Sequence, residues 1–329
     1  MVASEILEVD LGRFERGDEA SRRAVVEGVM SSLATGFVYL RSDLPEALMD
    51  EAYGMLGRFF AQPEGSKQRF HVPGASGQTG YTGLLVETAV GREQADWKEM
   101  LNWSEPPPTD HPLRRRYPHL YPEPLLPEAL VPGITAVLER FHRTVLDLQR
   151  RFLRVIALGL GCAETFFDEM TADAPTLSRA VRYPPMEEAP VEGTVWADAH
   201  ADINLITALP RATAAGLQVR LNDGWVAVQP PPGRVILNGG LMLERLSNGR
   251  IPAAWHRVVA GPGNRGERLS VVQFCHPRPW TLLAPLPCCV TPQRPQRWAG
   301  VMAGDALAEV LHGIRMLESG PVPGEAGGS

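Results

Sequence analysis

Two histidines and one aspartate in the second half of the chain have the spacing of a metal site. His200 and Asp202 lie two residues apart in an otherwise apolar stretch, and His256 follows 54 positions after Asp202. On an extended strand, residues two apart project to the same side, so the first two side chains can grip one ion. Two imidazoles and one carboxylate cap one face of an octahedral ion and leave the opposite face open, which suits non-heme Fe(II) oxygen chemistry. We predict that these three residues bind iron.

The third ligand decides this interpretation, because a His-x-Asp pattern alone arises often by chance. His256 follows a polar turn at residues 247–250 and leads into the β-branched pair Val258-Val259. This pattern is typical of a strand, which a sheet can bring back beside the first two ligands. The remaining histidines have no such partner pattern, and we predict that they are structural or solvent-exposed: His71, His111, His119, His142, His276 and His312.

A second pair of residues predicts an anion site. Arg268 and Ser270 are two apart in a β-rich run, so on a strand the guanidinium and the hydroxyl point into the same space. A planar fork of donors matches a carboxylate in bidentate fashion, and the hydroxyl adds one more donor. We therefore expect a ligand carboxylate here. The alternative is that Arg268 forms a surface ion pair with Glu267.

Short motifs in a fixed order extend this pattern over nearly the whole chain, from Ile6 to about Leu317. With these motifs, the chain resembles the 2-oxoglutarate-dependent Fe(II) oxygenases of the isopenicillin N synthase-like family. The matching segments are Gly36-Phe37-Val38-Tyr39-Leu40, Gly80-Tyr81, Asp96-Trp97-Lys98-Glu99, Tyr183-Pro184-Pro185, Gly216-Leu217-Gln218-Val219, Asn238, Gly240, Ser247-Asn248-Gly249 and His256-Arg257-Val258.

The resemblance implies specific roles for several residues. It implies Fe(II) at His200, Asp202 and His256. It also implies that Arg268 and Ser270 hold the distal carboxylate of 2-oxoglutarate, with Tyr183 donating to the same group. O2 would be the further co-substrate, and ascorbate an optional reductant. The chain departs from the family at two places: Val181 stands where relatives commonly carry Asn, and Leu241 where they commonly carry Asp. These changes leave the pose of the keto acid open.

The family relationship also implies a reaction and a place for the substrate. Hydroxylation of an unactivated C–H bond of a small molecule, with release of succinate and CO2, is the default outcome; desaturation, epoxidation and cyclisation are open. The segments Gly80–Leu84 and Glu87–Ala89 are similar to those of bacterial cephalosporin ring-expanding members, which favours natural-product or antibiotic biosynthesis. The candidate substrate contacts are Tyr81, Thr82, Trp97, Asn204 and Gln273.

Two other classes of function remain open from the sequence. The first is an Fe(II) oxidase of the same fold that uses no 2-oxoglutarate and closes rings oxidatively, with the Arg-x-Ser pair holding a substrate carboxylate instead. The second is a small-molecule binding module without catalysis, or a zinc hydrolase. The presence of Tyr183 beside Arg268 and Ser270 favours the keto acid. The lack of an obvious general-base glutamate disfavours hydrolysis.

The hydrophobic pattern changes along the chain. A helical apolar stripe predicts a long helix from near Ile134 to Leu160 that stops at Gly161, and Asp43 is expected to cap a helix that follows Pro45. From about Arg179, short β-rich runs separated by Pro and Gly, as at residues 261–264, predict a double-stranded β-helix, or jelly roll. We expect a mainly β protein with flanking helices: a helical N-terminal region at 1–125 within one compact unit, the long helix and jelly-roll core at 126–319, and a disordered tail at 320–329.

Composition constrains the partners. The 329 residues are 44% apolar, enough for a sizeable core, and carry a net charge of −6 with both signs interspersed. We therefore expect no nucleic-acid partner, and no apolar run has membrane-spanning length. The N-terminus lacks the pattern of a secretory signal, and the four cysteines are expected to be buried, reduced thiols, with a soft-metal role for Cys288 and Cys289 as the alternative. These features favour a cytoplasmic enzyme; the sequence leaves its oligomeric state open.

Overall fold

The computed structural model describes residues 5–88, 95–189, 195–222, 224–260, 266–313 and 315–316. The predicted turn at 261–264, part of the predicted 87–89 motif and the predicted disordered tail at 320–329 lie outside these residues.

Helices dominate the first half of the chain. Its strands are β1 (Glu8–Asp10), β2 (Phe37–Arg41), β3 (Gly80–Thr82), β4 (Glu87–Thr88) and β5 (Glu99–Trp103). Its helices are α1 (Leu11–Arg16), α2 (Glu19–Leu33), α3 (Glu46–Phe60), α4 (Glu64–Gln68), α5 (Pro112–Arg116), α6 (Ile134–Leu160) and α7 (Asp168–Thr171).

Strands dominate the second half. They are β6 (Leu177–Tyr183), β7 (Ala197–His200), β8 (Ile206–Ala212), β9 (Leu217–Leu221), β10 (Gly224–Ala227), β11 (Arg234–Gly239), β12 (His256–Val258), β13 (Arg268–Cys275), β14 (Leu282–Leu283), β15 (Val301–Met302) and β16 (Arg315–Met316). Helices α8 (Leu241–Leu246) and α9 (Ala303–Gly313) and the 3-10 turns Met186–Glu188 and Pro287–Cys289 complete this half.

Two sheets form the core. The major sheet has the order β1-β2-β11-β8-β13-β6-β5-β3, and the minor sheet has the order β10-β9-β12-β7. The pair β1-β2 is parallel, whereas the pairings within the jelly-roll strands are antiparallel. The predicted jelly-roll core with flanking helices is confirmed. Because β2, β3 and β5 join the major sheet, the N-terminal region contributes directly to the sheet that carries the core.

Each face of the major sheet has its own apolar layer. Along β13, Leu269, Val271 and Cys275 pack in the cluster shared with the helices, whereas Val272 packs against the cluster between the two sheets. This is the alternation expected of a strand buried on both sides. The inter-sheet cluster joins residues of both sheets, and Trp196, one of its two tryptophans, is fully buried. The site is therefore built between two packed layers.

Helix α6 runs along the outer layer as predicted. It covers Ile134–Leu160, its apolar stripe is buried, and Gly161 ends it with a positive φ of 85° that a residue with a Cβ rarely adopts. The predicted cap of α3 is wrong: the N-cap position is Pro45, and Asp43 instead accepts a hydrogen bond of 2.7 Å from Arg151 on α6. No helix among the described residues combines the length and apolar character needed to cross a membrane.

The buried His142 makes the stability of this layer pH-dependent. Burial lowers its pKa to about 4, and its Nδ1 lies 2.8 Å from the Ser178 hydroxyl. In the unfolded chain, His142 has an ordinary histidine pKa near 6.5. Between this pH and about 4, it therefore binds a proton in the unfolded chain but stays neutral in the folded chain. The folded state should thus lose stability as the pH falls from about 6.5 toward 4.

We predict that His142→Gln removes part of this dependence. Between pH 7.5 and 5.5, His142 should account for about 1 kcal/mol of lost unfolding free energy. Urea unfolding at both pH values measures the difference, and the exposed His119 gives a matched control, His119→Gln. An unchanged pH dependence in His142→Gln would contradict the buried neutral imidazole.

Candidate active site

The pairing of two minor-sheet strands brings the predicted metal ligands together. In the antiparallel pair β7-β12, His200 is the register partner of His256, and their ring centroids are 4.4 Å apart. Asp202 lies two residues beyond the end of β7, and its Oδ1 is 3.9 Å from the Nε2 atom of each histidine. One ligand atom from each residue lies within 4.8 Å of the other two. All three can therefore contact a single ion.

Backbone carbonyls fix the orientation of both imidazoles. Nδ1 of His200 lies 2.7 Å from the carbonyl oxygen of Asp198, and Nδ1 of His256 lies 3.0 Å from that of Ala254. A carbonyl only accepts hydrogen bonds, so Nδ1 carries the proton in each ring. Each neutral ring then offers the lone pair of Nε2 toward the centre of the triad.

Hydrogen bonds also orient the carboxylate of Asp202. Its Oδ2 accepts from the Thr207 hydroxyl at 2.6 Å and from the Asn238 amide at 2.9 Å. Burial alone would raise the pKa of Asp202, but the two histidines and these two donors hold it below the usual value. The carboxylate is thus charged, with Oδ1 directed at the histidines. Sequence reasoning missed Thr207 as a support for this ligand, since no spacing rule marks it.

The donor set fits Fe(II). Two imidazole nitrogens and one carboxylate oxygen lie within 4.8 Å of one another, and each of the three side chains is held by a hydrogen bond through its other polar atom. Such supporting contacts raise ligand basicity and fix ring orientation. Exposure differs between the two rings: 41% of the His200 side chain is exposed, against 15% for His256. The triad is therefore open on the side of His200.

Arg268 is deeply buried in the fold. It is only 1% exposed, and among the described residues no carboxylate pairs with it. Its Nη1 donates to the Ser270 hydroxyl at 2.8 Å, its Nε donates to the Ala214 carbonyl at 3.1 Å, and the guanidinium carbon lies 5.1 Å from the centre of the Tyr183 ring. Burial lowers the pKa of Arg268. A buried guanidinium whose contacts are all neutral groups requires an anion to balance its charge. This fits the predicted carboxylate site.

The alternative of a surface ion pair for Arg268 is wrong. Glu267 instead accepts a hydrogen bond of 2.7 Å from Arg182. Tyr183 is the register partner of Arg268 on the neighbouring strand β6, and the Arg268 guanidinium lies over its ring. The structure therefore brings the three residues predicted for 2-oxoglutarate together at one end of the β6-β13 pair.

The Asp96-Trp97-Lys98-Glu99 motif braces the triad from the N-terminal region. Oδ1 of Asp96 accepts from the backbone N–H of Asp198 at 3.2 Å, and the Asp198 carbonyl is the group that holds His200. The Lys98 ammonium lies 2.6 Å from Asp96 and 2.7 Å from Glu87. Burial would raise the pKa of Glu87, but Lys98 and then Arg179 lower it to about 2. A compensated cluster of charges thus supports the strand that carries a metal ligand.

Two of the predicted substrate contacts lie inside hydrogen-bond networks. The Tyr81 hydroxyl donates to the fully buried Glu99 at 2.5 Å, and Lys67 contacts the same carboxylate. Burial and then the charge of Glu99 raise the pKa of Tyr81 above its ordinary value. The Thr82 hydroxyl accepts from the Asn102 amide at 3.4 Å. Both side chains have a packing role here, and contact with a substrate stays a prediction.

The other three candidates occupy different layers. The Trp97 indole N–H donates to the Pro185 carbonyl at 3.2 Å, and its ring packs in the inter-sheet cluster. Asn204 is fully buried and donates to Thr207, so it supports the Asp202 carboxylate indirectly. Gln273 donates to the His142 carbonyl of α6, on the face of β13 opposite to Arg268. These positions favour packing for Asn204 and Gln273; substrate contact stays a prediction for all three.

The two departures from the family pattern fall beside the ligands. Val181 is the register partner of Ser270 and is buried between the sheets. At the second departure, the backbone N–H of Leu241 donates to the carbonyl of Asp202 at 2.8 Å. A Cβ on Gly240 would lie 2.1 Å from the Asn204 carbonyl oxygen, so this turn requires glycine. Leu241 therefore keeps a backbone contact to the metal-binding segment.

Comparison with known proteins assigns the family. Residues 8–125 match the family model of the non-haem dioxygenase N-terminal region in morphine synthesis, and residues 175–277 match that of the 2OG-Fe(II) oxygenase superfamily. A protein of Caulobacter crescentus assigned to the 2OG-Fe(II) oxygenase family has a crystal structure that is 31% identical, covers 94% of this chain and 99% of its own, and has a TM-score of 0.81. This chain belongs to the 2OG-Fe(II) oxygenase superfamily.

Other relatives agree with this assignment. Gibberellin 20 oxidase 2 of Oryza sativa subsp. japonica is 29% identical over 89% of this chain and 74% of its own length. A full-length protein of Neurospora crassa, whose crystal structure is a complex with alpha-KG and thymine, has the same fold, with a TM-score of 0.81, 23% identity and coverage of 93% and 96% of the two chains. The superfamily oxygenase is an oxidoreductase that uses Fe(II), 2-oxoglutarate and O2. The predicted family and enzyme class are confirmed.

We predict that Thr207→Val and Asn238→Ala weaken Fe(II) binding about 10- to 100-fold, because each removes a donor that orients Asp202. Isothermal titration under anaerobic conditions measures the affinity. Thr144→Val is the matched control, since this exposed hydroxyl bonds only to its own helix through Arg140. Equal affinities in the three variants would show that the carboxylate needs no such support.

Proposed function

We propose that His200, Asp202 and His256 bind Fe(II) and that the enzyme hydroxylates a C–H bond of a small molecule, with release of succinate and CO2. The observation that carries this proposal is the combination of the open triad with Arg268, which is buried and has no carboxylate partner among the described residues. The triad can hold an ion and still leave sites for other ligands. Arg268 supplies the positive charge that a dicarboxylic co-substrate needs at its far end.

The residues of the chain would orient the iron ligands and exclude water from the site. Bound Fe(II) would supply the activation of O2. The two imidazoles keep their geometry because they donate to the Asp198 and Ala254 carbonyls, and the carboxylate keeps its geometry because it accepts from the Thr207 hydroxyl. The packed layer between the sheets keeps water away from the Arg268 end of the site. In this dry surrounding, a charge-assisted contact to a carboxylate is stronger than it would be at the surface.

Arg268, Ser270 and Tyr183 are proposed to bind the distal carboxylate of 2-oxoglutarate. Nη1 and Nε of Arg268 are aimed by Ser270 and Ala214, so the guanidinium is pre-organised. The pKa of Tyr183 is raised by burial, which keeps its hydroxyl protonated and able to donate. This set of three donors favours 2-oxoglutarate over the oxidase hypothesis, in which a substrate carboxylate would occupy the same place.

The substrate is proposed to approach from the open side of His200. The N-terminal segment that carries Trp97 and Lys98 borders this side, because Asp96 contacts the strand of His200. We propose a role in small-molecule biosynthesis, with antibiotic production in the cytoplasm as the specific hypothesis. The gibberellin oxidase among the relatives supports small-molecule oxidation. The sequence likeness of Gly80–Leu84 to ring-expanding enzymes supports the antibiotic hypothesis.

A metabolite screen tests the proposed activity. Full-length enzyme with Fe(II), 2-oxoglutarate and O2 should release succinate in proportion to a product that is heavier than the consumed metabolite by the mass of one oxygen atom. Mass spectrometry detects both compounds, and His256→Ala is the inactive control. Product formation without succinate would instead establish the oxidase hypothesis.

We predict that Arg268→Ala raises the dissociation constant of 2-oxoglutarate about 30- to 1000-fold, because a charge-assisted contact of about 2–4 kcal/mol is lost from a buried site. Equilibrium binding to the anaerobic Fe(II) enzyme measures the constant. Arg220→Ala, which removes an exposed guanidinium on β9, should leave it unchanged. Normal 2-oxoglutarate affinity in Arg268→Ala, together with loss of substrate binding, would assign the pocket to the substrate instead.

A further inference from the structure

Three of the four cysteines meet at the end of the long helix. Cys162 lies two residues beyond α6, and Cys288 and Cys289 belong to the 3-10 turn Pro287–Cys289. The sulfur of Cys288 lies 3.7 Å from that of Cys162 and 4.0 Å from that of Cys289. All are free thiols. The sequence shows the adjacent pair but gives no sign of Cys162, because its partner is 126 positions away.

The surroundings hold this cluster in place. Arg250 donates to the carbonyls of Leu160 and Gly159 at the end of α6, and the same guanidinium contacts the Cys289 sulfur at 3.8 Å. The Asn248 amide donates to the Cys289 carbonyl at 3.2 Å. The turn that follows α8 thus ties the helix end and the cysteine turn to each other. The contact between the two segments is part of the packed fold and does not depend on the thiols alone.

The three thiols differ in access to solvent. Cys288 is exposed, Cys162 is half-buried and Cys289 is buried. The prediction that all cysteines are buried is therefore wrong for Cys288. An exposed thiol reacts with a small oxidant first, and the thiol beside it resolves the product. Cys275, buried in β13, stands apart from this cluster.

Geometry selects the partner of Cys288. Adjacent residues joined by a trans peptide have Cα atoms about 3.8 Å apart, below the range of about 4.4–6.8 Å found in disulfides. Cys288 and Cys289 are therefore a poor pair, although their sulfurs are close. Cys162 comes from another segment and is free of this restriction. Its sulfur lies 3.7 Å from that of Cys288, so the two atoms need to approach by less than about 2 Å to reach the disulfide bond length of about 2.05 Å.

We propose that Cys162 and Cys288 are a peroxide-sensitive thiol pair that forms an intramolecular disulfide. The Cys288 thiolate attacks hydrogen peroxide and breaks the O–O bond, so that Cys288 becomes a sulfenic acid and the departing hydroxide takes up the proton released by the Cys288 thiol as the first water. The Cys162 thiol then attacks the Cys288 sulfur, and its proton goes to the departing hydroxide, which leaves as the second water. Two thiols lose two electrons in total, and one peroxide is reduced to two waters.

The disulfide would tether the C-terminal segment to α6. Beyond Cys288 the chain continues through β15 and α9 to β16, whose Met316 pairs with Glu87 on β4. Glu87 contacts Lys98 in the charged cluster beside His200. The disulfide would therefore fix the start of the segment that runs from Cys288 to Met316. The end of this segment lies at the border of the active site. The disulfide closes a loop of more than a hundred residues, which restricts the unfolded chain strongly.

Peptide mapping tests the proposal directly. Full-length enzyme is treated with a small excess of hydrogen peroxide, quenched with catalase, alkylated and digested without reduction. We expect two of the four thiols to be lost, a Cys162–Cys288 peptide in the mass spectrum, and full recovery with dithiothreitol. Cys289→Ser should form the same peptide, whereas Cys162→Ser and Cys288→Ser should not. The melting temperature of the oxidised parent should rise by roughly 5 °C, and that of oxidised Cys162→Ser should not.

Several results would overturn the pair. A Cys288–Cys289 peptide, a disulfide between two chains through the exposed Cys288, or four retained thiols would each do so. The variant His256→Ala separates this inference from the proposed iron chemistry. It should form the same disulfide, because the reaction needs peroxide and two thiols only. Disulfide formation that disappears in His256→Ala would assign the oxidation to the metal site.

Discussion

The register between β7 and β12 is the constraint on which the site depends. It places His200 opposite His256, and a slip by one residue would turn one imidazole to the other face of the sheet. The inter-sheet core fixes this register, because Ala197 and Val258, neighbours in the same pair, are buried in it. Ligand placement is thus a consequence of hydrophobic packing, and the hydrogen bonds to Nδ1 refine it.

The distribution of buried charge separates structural from functional sites. Lys67 and Lys98 are almost fully buried, and each contacts carboxylates within 3.3 Å, so each charge is compensated within the fold. Arg268 is buried as deeply, but its contacts are a hydroxyl, a carbonyl and an aromatic ring. A lone buried charge is costly unless something pairs with it. The contrast between Arg268 and the two lysines therefore indicates that an anionic ligand binds at Arg268.

Sequence reasoning succeeded where a period or a short motif carries the information. Helix α6 and its end at Gly161 follow from the apolar stripe and a glycine. His200 and Asp202 lie together as predicted, but not on one strand, because β7 ends at His200 and Asp202 lies beyond it. Sequence reasoning failed where distant segments compete for one group. Asp43 has the type of a helix cap, but Arg151 binds it from α6. Thr207, Gln273 and Cys162 likewise have partners that only the tertiary fold supplies.

The strand that carries His200 is the last strand of the minor sheet, and its free edge is covered by the segment that carries Trp97. The Asp96 carboxylate accepts from the backbone N–H of Asp198, and the backbone N–H of Trp97 donates to the Val195 carbonyl at 2.9 Å. An uncovered edge invites pairing with another chain, so this cover protects against aggregation. It also limits how the enzyme can be engineered for new substrates, because a deletion within this segment would expose the edge and remove the contacts that hold the strand of His200.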